Sequence, residues 1–192
     1  MKKLILFTFL FSIISLTIKA QERTTFGIKG GINISNISSD YFAKSSSKTS
    51  FYFGILTEFS IGNKFSIQPE ILYSRQKTNS TQIIYGGSFP KNEYTLDYIQ
   101  IPVLAKFYIY KNVSLELGPS FNFLLKDKVV HISNNNQSNS DFAEKTEFSG
   151  ILGISYKLNN GFFTSVRYNK GLSESMKNGK NNSFQIGIGY MF

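Results

Sequence analysis

The sequence has no cysteine, no tryptophan and a single histidine among its 192 residues. Without cysteine the chain can form neither a disulfide framework nor a lipid-modified N-terminal cysteine. The lone His131 stands close to the stretch Asn134–Gln137, where we predict a solvated loop side chain and no catalytic base. The acids Asp127, Asp141 and Glu144 lack the spacing of metal ligands. We therefore predict no catalytic residue, no metal site and no cofactor.

Long apolar runs are also absent after residue 20. Before that point Lys2 and Lys3, an apolar run over residues 4–18 and Ala20 are typical of a secretory signal peptide. The run is shorter than the roughly twenty residues of a spanning helix and contains four Ser or Thr residues, so a retained N-terminal anchor is the less favoured alternative. We predict a signal peptide over 1–20 and one domain over 21–192.

Basic residues outnumber acidic residues only modestly once the predicted signal peptide is removed. Loss of residues 1–20 removes three lysines and no acid, which leaves 18 basic and 12 acidic residues. The lysines are scattered through Ser- and Asn-rich stretches, whereas a nucleic-acid binder would cluster them in one stripe. We predict no nucleic-acid partner and only weak attraction to anionic lipid headgroups.

Alternation of apolar and polar residues with a period of two recurs in eight segments, as expected for strands that cross a bilayer. The segments are 25–34, 50–60, 65–74, 99–109, 113–123, 147–158, 162–169 and 183–192. The connections alternate between short turns and long polar stretches. The short turns are 61–64, 110–112 and 159–161, and the long stretches are 36–49, 77–93, 126–145 and 171–182.

Short turns on one side and long loops on the other are typical of outer-membrane barrels, with the turns in the periplasm. We predict an all-β protein, an eight-stranded antiparallel up-and-down transmembrane β-barrel with extracellular loops. Alternation alone would also suit a soluble lipocalin-like barrel. Aromatic residues at both ends of the segments favour the membrane, where they would form girdles at the interfaces. We predict that Tyr190 and Phe192 form a C-terminal assembly signal for the barrel-assembly machinery.

Six charged residues fall on the polar faces of the segments and would point into the lumen, three of each sign. They are Lys29, Glu58, Glu70, Lys106, Glu116 and Arg167. Because an eight-stranded lumen is just wide enough for side chains to fill, these charges should pair there. We predict Arg167 as the centre of this structural network, with Glu70 and Glu116 as its partners, because a guanidinium can engage two carboxylates.

Five strings in the chain resemble the PorT-like outer-membrane β-barrel family of Bacteroidota. They are Gln68–Ser74, Ile99–Tyr108, Leu117–Phe121, Arg167–Leu172 and Gly187–Phe192. The resemblance implies the barrel fold and an outer-membrane location, and the namesake of the family takes part in type IX protein secretion. Gln100 stands where the family often has an acid.

Three classes of function remain open. We favour a structural or surface-interaction barrel that acts through its extracellular loops, inserted in outer-membrane lipid, with an extracellular or envelope protein as its partner. A small pore is less favoured because apolar residues take inward positions among the charges, namely Leu56, Leu72, Leu104, Phe163 and Met191. An outer-membrane enzyme is least favoured, since a loop histidine alone supplies no catalytic group.

Overall fold

The computed structural model describes residues 24–39, 42–82, 91–131, 137–138, 143–175 and 179–192. Strands form β1 (Thr24–Ser39), β2 (Phe42–Ile61), β3 (Phe65–Gln82), β4 (Lys91–Tyr110), β5 (Val113–His131), β6 (Gln137–Ser138), β7 (Thr146–Lys157), β8 (Phe162–Gly171) and β9 (Gly179–Met191). No helix long and apolar enough to cross a membrane occurs among these residues. The predicted signal peptide over 1–20 lies outside the described residues.

The strands close into a ring. Each long strand pairs antiparallel with the next along the chain, and β1 pairs with β9, so eight strands form a closed barrel while β6 adds two residues beside the end of β5. Closure leaves no unpaired edge in the hydrocarbon, where unsatisfied amides are costly. The predicted eight-stranded antiparallel barrel is confirmed.

The outer wall carries a band of exposed apolar side chains. Phe26, Leu117 and Ile188 are each at least 60% exposed, whereas Glu70, Glu116 and Arg167 on the inner wall are at most 1% exposed. This inside-out distribution suits lipid outside and a packed polar lumen inside, and excludes the soluble-barrel alternative. Aromatic pairs between neighbouring strands mark both rims of the band: Phe65–Phe107 and Phe162–Tyr190 on the turn side, and Phe53–Tyr73 and Tyr168–Phe184 on the loop side.

The bounds predicted for the long loops over 36–49, 77–93 and 126–145 are too wide, because strands continue into each stretch. β3 runs nine residues beyond Tyr73 to Gln82, and β4 begins eight residues before Ile99. In 74–82 both faces carry polar residues, so the apolar–polar contrast that reveals a strand in sequence is lost there, and in 94–98 the apolar residues Tyr94, Leu96 and Tyr98 lie on the inner face instead of the outer one. We call residues 42–50, 74–82, 91–98 and 124–131 the collar.

The collar is a paired extension of the barrel wall beyond the lipid. Ser74 to Thr81 pair with Lys91 to Tyr98, which pair in turn with residues 124–131. At about 3.3 Å per residue along tilted strands, the collar rises roughly 20 Å above the apolar band. His131, predicted in a loop, is the last residue of β5 and pairs with Asn92.

Candidate functional site

The six predicted lumenal charges lie together in the barrel interior. Arg167 on β8 is fully buried and reaches Glu70 on β3, which is the opposite wall of the ring. Its two terminal nitrogens donate to the two Glu70 carboxylate oxygens, each at 2.8 Å. Its Nε donates to Glu116 Oε2 at 2.6 Å. One guanidinium therefore joins three strands across the lumen, with the fork geometry that arginine offers to carboxylates.

The remaining three charges surround this centre. Lys29 Nζ lies 3.5 Å from Glu70 Oε2, and Lys106 Nζ lies 3.2 Å from Glu58 Oε2 and 3.8 Å from Glu116 Oε1. All six side chains are at most 5% exposed. Three cations and three anions balance within one connected group, which avoids an uncompensated buried charge.

Sequence reasoning missed three neutral side chains that contact the charges. Gln68 donates to Glu70 Oε1 at 2.6 Å and accepts from Lys106 Nζ at 3.0 Å. Tyr108 donates to Glu58. The Lys29 ammonium lies 5.4 Å from the centre of the Tyr52 ring. These residues share the inward parity of the charges on their strands, so the alternation could have found them.

A seventh inward charge was also missed. Glu147 is 4% exposed at the loop-side end of the lumen, and no cation of the described residues lies within ion-pair distance of its carboxylate. Its position in β7 matches that of Ser149 and Ser155, which are also buried. The six charges in the turn-side half of the lumen therefore balance one another, and Glu147 is an additional acid closer to the loop side.

Contacts between opposite walls close the lumen. Besides the Arg167–Glu70 pair, Gln185 on β9 donates to Gln100 on β4, again across the ring, at 3.2 Å. Two buried apolar clusters also occupy the interior, one of Leu56, Phe163 and Met191 near the turns and one of Tyr94, Leu96, Tyr98 and Val129 within the collar. Side chains from facing walls therefore meet inside the lumen at Arg167–Glu70 and at Gln185–Gln100.

A family model for the outer membrane protein beta-barrel domain matches residues 19–177. The chain belongs to that family. This outer membrane barrel is similar in structure to Ail of Yersinia pestis, with a TM-score of 0.56, 16% identity and coverage of 88% of this chain and 99% of Ail. Neisserial surface protein A gives a TM-score of 0.56 and 14% identity, covering 89% of this chain and all of that one. At such identities the likeness shows the fold alone. No curated protein matches in sequence.

The turn-side mouth of this outer membrane barrel is an open vestibule of about 660 Å³. Its lining includes Lys64, Lys111 and Lys157 as well as Glu58, Tyr108 and Met191. Met191 also belongs to the turn-side apolar cluster, so the vestibule ends against packed side chains. The C-terminus lies at this mouth, where the Phe192 amide donates to the Phe26 carbonyl at 2.7 Å and the Tyr190 and Phe192 rings stand 5.3 Å apart.

The collar carries ion pairs on its outer surface. Glu93 accepts from Lys48 at 2.7 Å and from Lys77 at 3.3 Å, so three neighbouring strands are joined. The Lys48 hydrogen bond is the main reason why the pKa of Glu93 is below its ordinary value. Arg75 donates to both Asp97 oxygens, at 2.7 and 2.9 Å. These pairs are partly exposed, so each stabilises the collar by less than about 1 kcal/mol.

Metal-binding clusters are not found where the structure can show them. Within the described ranges, no three His, Asp or Glu side chains are grouped as ligands of a metal ion would be. Asp127 lies in β5, and Glu144 lies just before β7 on the surface, whereas Asp141 is outside the described residues. Asp127 and Glu144, which lack ligand spacing in the sequence, are thus not members of such a group in this part of the chain.

We expect the folded protein to be electrically silent in planar lipid bilayers, because side chains from facing walls meet inside the lumen. Single-channel recording of protein purified from outer membranes checks this, with protein-free detergent as the control. Reproducible conductance steps of one size, obtained from pure protein, would show that the lumen opens and would favour the pore alternative.

Proposed function

We propose that this protein is a sealed outer-membrane barrel whose collar binds a partner at the cell surface. The observation that carries the proposal is the collar itself, which continues the barrel wall well beyond the lipid. A barrel that only anchors itself could end its strands at the aromatic rim. The added strands instead hold polar side chains in fixed positions, and binding to an ordered surface loses less conformational entropy than binding to a mobile loop.

The collar also has a core of its own, which supports a role as a platform. Tyr94, Leu96 and Tyr98 of β4 pack against Val129 of β5, and each is at most 6% exposed. Leu124 and Ala143 pack against this cluster. Because the collar lies outside the hydrocarbon, these side chains bury apolar surface from water, at about 25 cal/mol per Å². The collar is thereby stabilised independently of the bilayer.

Shortening the β3–β4 hairpin tests the proposal. Replacement of residues 76–96 by Asn-Gly joins β3 to β4 directly above the aromatic rim and removes most of the β3 and β4 part of the collar, while the band residues remain. In nanodiscs, we expect the full protein to bind one of three immobilised surfaces and the shortened variant to lose that binding. The surfaces are outer-membrane vesicles from a deletion strain, extracellular-matrix proteins and sulfated glycans.

The controls separate binding from folding. The shortened variant should still migrate faster unboiled than boiled in SDS gels, as a closed barrel does. Lys111→Gln, on the turn side, should bind as the unaltered protein does. Equal binding by full-length and shortened barrels would contradict a role for the collar, and so would a deletion strain whose only defect is solute uptake.

A narrower second proposal follows from the five strings that resemble the PorT-like family. Under it, the protein is an accessory of type IX secretion in Bacteroidota, exported by a signal peptide over 1–20 that is cleaved, and inserted with the aid of the barrel-assembly machinery. A deletion strain should then accumulate unsecreted cargo proteins inside the outer membrane. Normal secretion in that strain would contradict this second proposal without affecting the proposal that the collar binds a partner.

A further inference from the structure

A groove interrupts the apolar outer wall of the barrel where β5, β7 and β8 lie side by side. It is an open groove with a volume of about 470 Å³. The groove exists because one row across the three strands has little side chain at two of its positions: Pro119 pairs with Gly150, which pairs with Lys170 at the end of the row. The rows on either side are bulky, with Leu152 in one and Phe148 in the other.

The groove climbs toward the loop side as it crosses the strands. Pro119 is six residues from the turn-side start of β5, Gly150 is seven from the turn-side end of β7, and Lys170 is eight from the start of β8. At about 3.3 Å per residue along strands tilted by about 40°, two residues correspond to roughly 5 Å along the membrane normal. The apolar end therefore lies deeper in the hydrocarbon than Lys170, which stands at the level of the loop-side rim.

Lys170 supplies a charge at the upper end of the groove. Its side chain is exposed on the lipid-facing side, two residues beyond Tyr168 of the aromatic rim. No carboxylate of the described residues forms an ion pair with it. A cation at the headgroup level is stabilised by anionic lipid, and an ammonium is well suited to a phosphate. An apolar cleft below an unpaired cation is complementary to a lipid, whose acyl chain would lie in the cleft and whose phosphate would lie beside the cation.

We propose that this groove, with Lys170 at its upper end, binds one phosphorylated glycolipid of the outer leaflet, with an acyl chain along Pro119 and Gly150. The loop side of the barrel faces the outer leaflet, whose characteristic lipid in outer membranes is the phosphorylated glycolipid lipid A. The site is part of the lipid-facing wall, so it is separate from the lumen and from the collar.

Native mass spectrometry of the full protein with added lipid A tests the proposal. The unaltered protein should hold one bisphosphorylated lipid A at least about tenfold more tightly than the same lipid after removal of its phosphates. Lys170→Gln should bind both forms at the lower affinity. Gly150→Leu should weaken both, because the side chain fills the groove; Gly150→Ala, whose Cβ would meet only Leu172 at 3.7 Å, should weaken them less.

Matched variants elsewhere show whether the loss is local. Lys180→Gln removes another exposed loop-side lysine, and Thr57→Leu adds an apolar side chain to the outer wall on β2; both should bind as the unaltered protein does. A loss with Lys180→Gln equal to that with Lys170→Gln would overturn the proposal in favour of diffuse surface charge. Unchanged binding by Gly150→Leu would overturn it, and dioleoyl phosphatidic acid bound as tightly as lipid A would overturn the assignment to a glycolipid.

Discussion

Arg167→Met lowers the urea midpoint of unfolding in lipid vesicles more than any other single charge removal in the barrel. The substitution leaves Glu70 and Glu116 buried without the group that lies 2.6–2.8 Å from their oxygens. Breaking a buried ion pair by removing one partner costs about 3–5 kcal/mol, because the other charge is left uncompensated. Lys29 and Lys106 remain at 3.5 and 3.8 Å, too far to replace the guanidinium hydrogen bonds.

A second substitution should recover much of that loss. In Arg167→Met with Glu70→Gln, the network keeps two lysines, Lys29 and Lys106, and two glutamates, Glu58 and Glu116, so it is again neutral. Arg75→Met is the control, because Arg75 also engages a carboxylate with two nitrogens but its side chain is 34% exposed on the collar. That change should lower the free energy of unfolding by less than about 1 kcal/mol and therefore move the urea midpoint only slightly. Similar shifts for Arg167→Met and Arg75→Met would contradict a desolvated network.

Gly31→Ala should prevent most of the protein from closing the β1–β9 junction. A Cβ at Gly31 would lie 2.1 Å from the Ile186 carbonyl oxygen and 2.6 Å from the Gly187 Cα. Both are backbone atoms of the paired strand, so no side-chain rotation relieves the overlap, and β9 must move away from β1. We expect a cost at or above the upper end of the roughly 1–3 kcal/mol of an overpacked site. The measurement is the fraction of unboiled protein that migrates as the compact form in SDS gels.

The adjacent residue provides the control. A Cβ at Gly30 would point to the outer wall, with its nearest atom, the Tyr52 carbonyl oxygen, at 3.4 Å. Gly30→Ala should therefore fold as the unaltered protein does, or be slightly more stable, because glycine is unfavourable within a strand. Gly54→Ala repeats the test at the β2–β3 pair, where the Cβ would lie 2.1 Å from the Ile71 carbonyl oxygen. If the Gly30→Ala and Gly31→Ala variants fold to the same extent, β9 can move away from β1 at little cost and the prediction is contradicted.

Much of the candidate site could be predicted because the strand period places residues on faces. Arg167, Glu70 and Glu116 share the inward parity of their strands, and counting from the turns puts them at similar depth. The parity of Gln68 and Tyr108 is the same, but parity alone does not show which of the many inward neutral side chains hydrogen-bond to the charges. The Lys48–Glu93–Lys77 group was not predictable, since it depends on strands continuing through stretches that the sequence suggests are loops.

The sequence by itself determined the number of barrel strands, the lipid-facing side of each and the positions of the short turns. All three follow from local alternation, which the bilayer enforces by removing polar side chains from the outer wall. Only the tertiary structure decided how far the strands extend, because in water the pairing of polar strands depends on neighbours far away in sequence. It also decided which side chains meet across the lumen: the Tyr52 hydroxyl occupies the space above Gly187, and Arg167 reaches Glu70 on the facing wall. Such contacts depend on the closure and stagger of the ring, which no single strand specifies.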